Sequence, residues 1–170
     1  MKIASFKNFK SIDVNPIHHV FLIRFFLLTL LTIWITGFLL PLIITIKNPL
    51  TNFVITRFYS TVCHQEGFKC ISINNSSMLV CARCAGIYFG ALIAAVSSLF
   101  IIRSLISKRL LLISILPLVT DVLLISLGIY HYSKSLAFVT GIIFGSTIYY
   151  YIIAEIEKFS LKQIFNTGNE

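Results

Sequence analysis

The stretch "VFLIRFFLLTLLTIWITGFLLPLIITI", residues 20–46, carries a single charged side chain, Arg24. A helix needs about 20 apolar residues to cross the hydrocarbon core of a bilayer, so this run reads as a membrane-spanning helix. Three more runs have the same character: "AGIYFGALIAAVSSLFII" at 85–102, "LLLISILPLVTDVLLISLGIY" at 110–130 and "LAFVTGIIFGSTIYYYII" at 136–153. The first run is too long for the apolar part of a secretory signal, and no small-x-small cleavage pattern follows it, so it is expected to be retained. The expectation is an all-α integral membrane four-helix bundle, one transmembrane domain over residues 1–170.

Composition agrees. The chain is 57% hydrophobic and 12% charged, with mean hydropathy +0.91, whereas soluble domains carry about 25% charged residues. Buried helices of a soluble protein are thereby disfavoured. The formal charge is +8, but no basic run is interleaved with aromatics, and all basic residues except Arg24 sit outside the four apolar runs. That distribution suits lipid headgroups and topology rules, not nucleic acid. Arg24 is placed to snorkel to the headgroups, Pro41 to kink the first helix, and the tyrosines 149–151 to form an aromatic belt.

Short connections after the second and third runs make consecutive helices antiparallel neighbours. Lys2, Lys7, Lys10, Arg24, Arg103, Lys108, Arg109, Lys158 and Lys162 fall on one side, nine in all; Lys47, Arg57, Lys69, Arg83 and Lys134 fall on the other. The excess places both termini in the cytoplasm of a cell-membrane protein and the long connection, residues 47–84, outside.

That connection holds every cysteine of the chain, in "TVCHQEGFKC" (61–70) and "VCARCAGIYFG" (80–90). It begins with "NPLTNFVITRFYSTVC" (48–63), apolar but interrupted by Arg57. This is expected to be a re-entrant or interfacial helix capped by Thr51 or Asn52. "SINNSSM" (72–78) is the turn that brings the chain back. Cys81 and Cys84 form a CxxC pair, the commonest zinc half-site, and at i, i+3 on a helix they share a face. Cys63 and His64 offer the second half-site, 18 positions before Cys81, within the range seen between zinc half-sites. Four ligands, Cys63, His64, Cys81 and Cys84, would close a tetrahedral zinc site, structural in character. If His64 stays out, one position is free for water or substrate. Both neighbours can ligate only if the backbone turns between them, and Cys70 is the alternative fourth ligand. Gln65 is placed to orient a ligand, and Arg83 or Lys69 to offset the site's negative charge. Three other readings stay open, the plainest being inert thiols buried by packing. Plain disulfides would suit an oxidising compartment. Thiol–disulfide exchange would use Cys81 and Cys84 with Cys63 and Cys70 as a shuttle pair, and a helix N-terminus beside Arg83 would lower a thiol pKa. The latter arrangement resembles quinone-linked disulfide-generating membrane proteins, which are also four-helix bundles. Whether the chain is an enzyme is open between these readings.

"VCHQ", "VCARCAGIYFG", "LPLVTD" and "TGIIFG" together resemble the core of an uncharacterised family of small prokaryotic multi-pass membrane proteins, known only as a domain of unknown function. The likeness runs from about Tyr59 to Gly145. It carries the family pattern onto Cys63, His64, Gln65, Cys81, Arg83, Cys84, Gly86, Ile87, Tyr88, Gly90, Pro117, Asp121, Thr140 and Gly141. The chain departs from that pattern in "EGFKCIS" after Cys-His-Gln, in Ala85 where threonine is usual, and in "SLAFV", which lacks the usual Asn and Arg. Cys70 falls outside the pattern. The resemblance implies membership and no particular activity.

Asp121 lies well inside the third run, where a carboxylate costs ~2.5–3.5 kcal/mol on insertion scales. It must be protonated, paired or turned to a polar cavity, and it is the third catalytic candidate beside Cys81 and Cys84, as a proton relay or transport residue. Ala82, Gly86, Gly90, Ala94 and Ser98 make a small-residue stripe, as do Gly141 and Gly145. The two stripes could meet within the chain, with the second and fourth helices parallel, or offer faces through which copies of the chain associate as a homo-oligomer. His18, His19 and His131 read as solvated, His131 on the thiol side. Glu155 and Glu157 read as tail-solvating groups.

Overall fold

The computed structural model describes residues 16–43, 48–73, 76–100 and 107–167. Residues 44–46 and 101–102, expected to be helical, lie outside them, as do Lys2, Lys7, Lys10, Lys47 and Arg103. The chain forms α1 (Pro16–Ile43), α2 (Pro49–Ser60), a 3-10 turn (Gly67–Lys69), β1 (Cys70–Ile73), β2 (Ser76–Cys81), α3 (Ala82–Phe100), α4 (Lys108–Ser126) and α5 (Lys134–Thr167). Among the described residues, four helices are long and apolar enough to cross a membrane, over Val20–Ile43, Ala82–Phe100, Lys108–Ser126 and Lys134–Phe159.

The helix ends move from their expected places for local reasons. α3 starts three residues early because β2 hands the chain directly to it at Ala82. α4 starts at Lys108, where the Ser107 side chain accepts the Leu110 N–H. It stops at Ser126, not Tyr130, because Gly128 adopts φ +70, the left-handed conformation that ends a helix and that glycine takes without strain. α5 continues to Thr167, past the expected end at Ile153, so Tyr149, Tyr150 and Tyr151 lie in its middle. Tyr150 meets Ser97 of α3 at 2.5 Å.

The small-residue stripes face one another. A methyl group added at Gly86 or Gly90 would overlap the backbone carbonyls of Phe138 or Ile142, and one at Gly145 the carbonyl of Ile87. α3 and α5 are therefore parallel and in backbone contact. The stripes are spent on packing within one chain, and an oligomer formed through those faces would have to open that contact.

α2 is capped by Asn48, whose side chain accepts the Leu50 N–H at 3.1 Å. The expected caps, Thr51 and Asn52, fall inside the helix because Pro49 suits its first turn. α2 leaves Leu50, Phe53, Val54 and Phe58 exposed and turns Tyr59 inward, where the hydroxyl donates to the Trp34 carbonyl at 3.0 Å. Trp34 lies nine residues before Ile43, about 13 Å along α1. α2 thus folds back from the end of α1 toward its middle.

β1 and β2 pair antiparallel, with Cys70 opposite Cys81 and Ile73 opposite Ser76. Met78, Leu79 and Val80 of β2 are all buried, in one core with Ile35, Phe38, Tyr59, Cys63 and Ala85. The hairpin is part of the bundle, not an aqueous loop.

Arg24 is buried and does not snorkel. Its Nε donates to Glu157 at 2.6 Å and its Nη1 to the Ser98 carbonyl, tying α1 to α5 and α3. Glu157 is a charge partner, not a tail-solvating group. Burial makes the pairing obligatory, since an uncompensated charge there is strongly destabilising.

Candidate metal centre

β2 ends at Cys81, and α3 begins at the next residue, placing Cys84 in its first turn. The CxxC pair thus spans a strand–helix junction, not one helix face. Cys63 follows α2, whose last carbonyls hold the chain: the N–H groups of Val62 and Cys63 both donate to Tyr59 O. The sulfurs of Cys63, Cys81 and Cys84 lie within 4.8 Å of one another.

Backbone donors converge on Cys63. The Cys81 N–H donates to its sulfur at 3.2 Å, and the Gln65 backbone adds a smaller effect in the same sense. Hydrogen bonds from the Cys81 and Cys84 thiols, with these amides behind them, hold the Cys63 thiol well below its ordinary range, against the opposing effect of burial. Such bonds favour the ionised sulfur, the form that ligates metals.

Gln65 has φ 51, in the left-handed region that non-glycine residues seldom enter. Its side-chain Nε2 donates to the Thr56 carbonyl of α2 at 3.1 Å, which pins the turn. The chain bends after His64, not between Cys63 and His64. Cys63 is buried and His64 exposed, so His64 is not brought to the sulfurs. Gln65 serves the site through its backbone, not through a side-chain bond to a ligand.

Cys70 is buried opposite Cys81 on the hairpin, but its sulfur is outside the group of three. Burial, reinforced by the neighbouring Cys63 and Cys81 sulfurs, pushes its thiol up to about 11. All four cysteines are free thiols.

Arg83 turns away from the sulfurs. Its guanidinium meets the Asp121 carboxylate of α4 at 2.5 Å, and the Tyr130 hydroxyl donates to the other carboxylate oxygen. Asp121 is buried and paired, and Arg83 is committed to it. Sequence reading missed this pair because it set Arg83 and Asp121 at different depths. The signal was available: α3 and α4 are consecutive and antiparallel, so the start of one is level with the end of the other. With α4 stopping at Ser126, Asp121 comes level with Arg83.

Tyr132, also missed, closes the same corner. Its ring lies against Phe68 at 6.3 Å, with Lys69 Nζ at 6.0 Å and the Arg83 guanidinium at 5.9 Å. Burial, and next the charge at Cys81, push its hydroxyl up to about 12. His131 is exposed.

The donor set suits a thiophilic metal. Zinc–sulfur bonds of about 2.3 Å in a tetrahedron put sulfurs about 3.8 Å apart, so three sulfurs within 4.8 Å need only a small closure. The start of α3 adds the positive end of a helix dipole.

A family model described as "Predicted membrane protein (DUF2085)" matches residues 63–151, beginning at the first thiol of the group. Among curated relatives, an uncharacterised protein of Methanocaldococcus jannaschii is 34% identical over 99 residues, covering 56% of this chain and 64% of that protein. The chain thus spans less than two thirds of that relative's length. No solved structure matches.

Proposed function

The chain belongs to the DUF2085 family of predicted membrane proteins, and on that footing we propose that it is a membrane-embedded metal-binding protein, with Cys63, Cys81 and Cys84 holding one zinc ion at the outer end of the bundle. The observation that carries this is the convergence of three sulfurs from two distant segments within 4.8 Å. The chain's own part is to preset the ligands. Tyr59 and Gln65 fix the Cys63 turn, backbone amides favour its thiolate, and the strand–helix junction fixes Cys81 against Cys84. Three thiolates and a divalent cation carry a net charge of −1. The start of α3 offsets it, since Arg83 is bound to Asp121 and Lys69 to Glu66 at 2.6 Å. A zinc ion with three protein thiolates keeps one exchangeable position and supplies Lewis acidity there.

Both termini lie in the cytoplasm and the thiols face outward on this reading. Arg24 and Arg83 are held in ion pairs within the bundle and do not count toward topology. The remaining lysines and arginines divide eight to four in favour of the same orientation. The bilayer is the surrounding partner, met by apolar side chains such as Ile33, Phe53 and Leu112.

Thiol–disulfide exchange is the second reading, supported by the partly exposed Cys81 and Cys84 beside a sulfur favoured as thiolate. Cys70, buried and neutral, does not suit the shuttle role. Proton relay or transport through Asp121 loses its main support, since Arg83 and Tyr130 already use that carboxylate.

Zinc content of protein purified without chelator separates the readings. About one zinc per chain is expected, lost in Cys81→Ser and kept in His64→Ala. Metal-free protein in which Cys81 and Cys84 oxidise readily to each other would replace the zinc reading with the redox one.

A further inference from the structure

Two buried polar atoms beside the thiol group have no hydrogen-bond partner among the described residues, Arg83 Nε and the Tyr132 hydroxyl. A buried hydroxyl left without a partner is costly and calls for an explanation. Tyr132 lies on the α4–α5 connection, far in sequence from the thiols, yet its ring lies against residues of both cysteine segments. Arg83 follows Cys81 in the chain, at 5.9 Å. Lys69, at 6.0 Å, precedes Cys70, which stands opposite Cys81 on the hairpin.

After burial, Cys81 is the group that acts most strongly on the Tyr132 hydroxyl. Without a partner among the described residues, the hydroxyl has its proton to give. The Cys81 sulfur can take it, since a metal-bound thiolate remains a hydrogen-bond acceptor.

We infer that Tyr132 is a positioning residue of the thiolate site, its hydroxyl donating to the Cys81 sulfur when that sulfur binds a metal. The inference rests on the zinc reading. Outer donors of this kind fix the orientation of a ligand and tune its charge, and their loss costs about 10–100-fold in metal affinity. Such a donor withdraws electron density from the sulfur, which raises the energy of sulfur-to-metal charge transfer.

The test is cobalt(II) titration of the full-length protein in detergent after removal of bound metal. Tyr132→Phe is expected to bind one cobalt per chain at least 10-fold more weakly than wild type, with its sulfur-to-cobalt band moved to lower energy. Tyr130→Phe, which removes a hydroxyl from the same connection but from Asp121, is expected to leave the Kd and the band unchanged. A ring-fluorinated tyrosine at 132 keeps the shape and is a stronger donor, so it should tighten binding; it also serves if Tyr132→Phe does not fold. Wild-type Kd and band in Tyr132→Phe, or no tightening by the fluorinated residue, would overturn the inference and leave the metal site standing. Absence of cobalt binding in wild type would overturn the metal site, and this inference with it.

Discussion

At the scale of single residues, the backbone of Gln65 decides what the site is. Cys63 and His64 are adjacent, and the chain can turn only one of them inward. With the left-handed turn at Gln65, Cys63 joins the sulfurs and His64 faces out. The CxxC pair and its distance from Cys63 were legible in the sequence because ligand spacing is a local property. The fate of His64 was not, because it depends on one dihedral angle that Thr56, on another element, stabilises. Cys70 illustrates the same limit: its number looked equal to the others, and burial sets it apart. Its thiol is pushed from 9.0 up to about 11. Below pH 9 it is protonated in both folded and unfolded chains. Between pH 9 and 11 the unfolded chain ionises first and binds fewer protons, so folding stability falls as pH rises through that window. Thermal melting of metal-free protein at pH 8 and 10.5 should show this loss, and Cys70→Ala should reduce it. An equal loss in Cys70→Ala would mean that Cys70 is not its source.

Among the elements, the glycine stripe was legible, since small residues at four-residue spacing declare a close helix approach, but whether it met the second stripe or another copy of the chain was left open. Gly86→Leu would drive a side chain into the Phe138 backbone and should abolish recovery of folded protein. Gly67→Ala, with nothing near its added methyl, should be silent in the same assay. The hairpin was not legible. Met78, Leu79 and Val80 are all buried, so β2 lacks the alternation that marks a strand with one face in water. The Arg83–Asp121 pair was hidden by a misplaced helix end. Removing one member leaves the other charge buried, at about 3–5 kcal/mol. Arg83→Met should therefore lower the melting temperature markedly, and Asp121→Leu in the same chain should restore much of it. A double variant no more stable than the single one would argue that the pair is not coupled.

For the whole molecule, four apolar runs were enough to read the bundle, because length and hydropathy alone determine what can cross a bilayer. What they could not convey is that the excursion between the first two spans folds back into the bundle. α2 returns to the level of Trp34, and β2 packs against Phe38 and Ile35. The thiols thereby sit on the shoulder of the bundle rather than on a free loop. In intact cells treated with chelator, a membrane-impermeant thiol reagent should label Cys81 from outside, and protection of all four cysteines after chelation and reduction would reverse the orientation. The central claim, that three thiolates hold one metal, is tested most directly by native mass spectrometry of the intact protein released from detergent. The account predicts a mass increment of one zinc per chain in wild type, His64→Ala and Cys70→Ser, absent in Cys63→Ser and Cys81→Ser. A wild-type mass with no metal, and two hydrogens lighter through a Cys81–Cys84 disulfide, would contradict it.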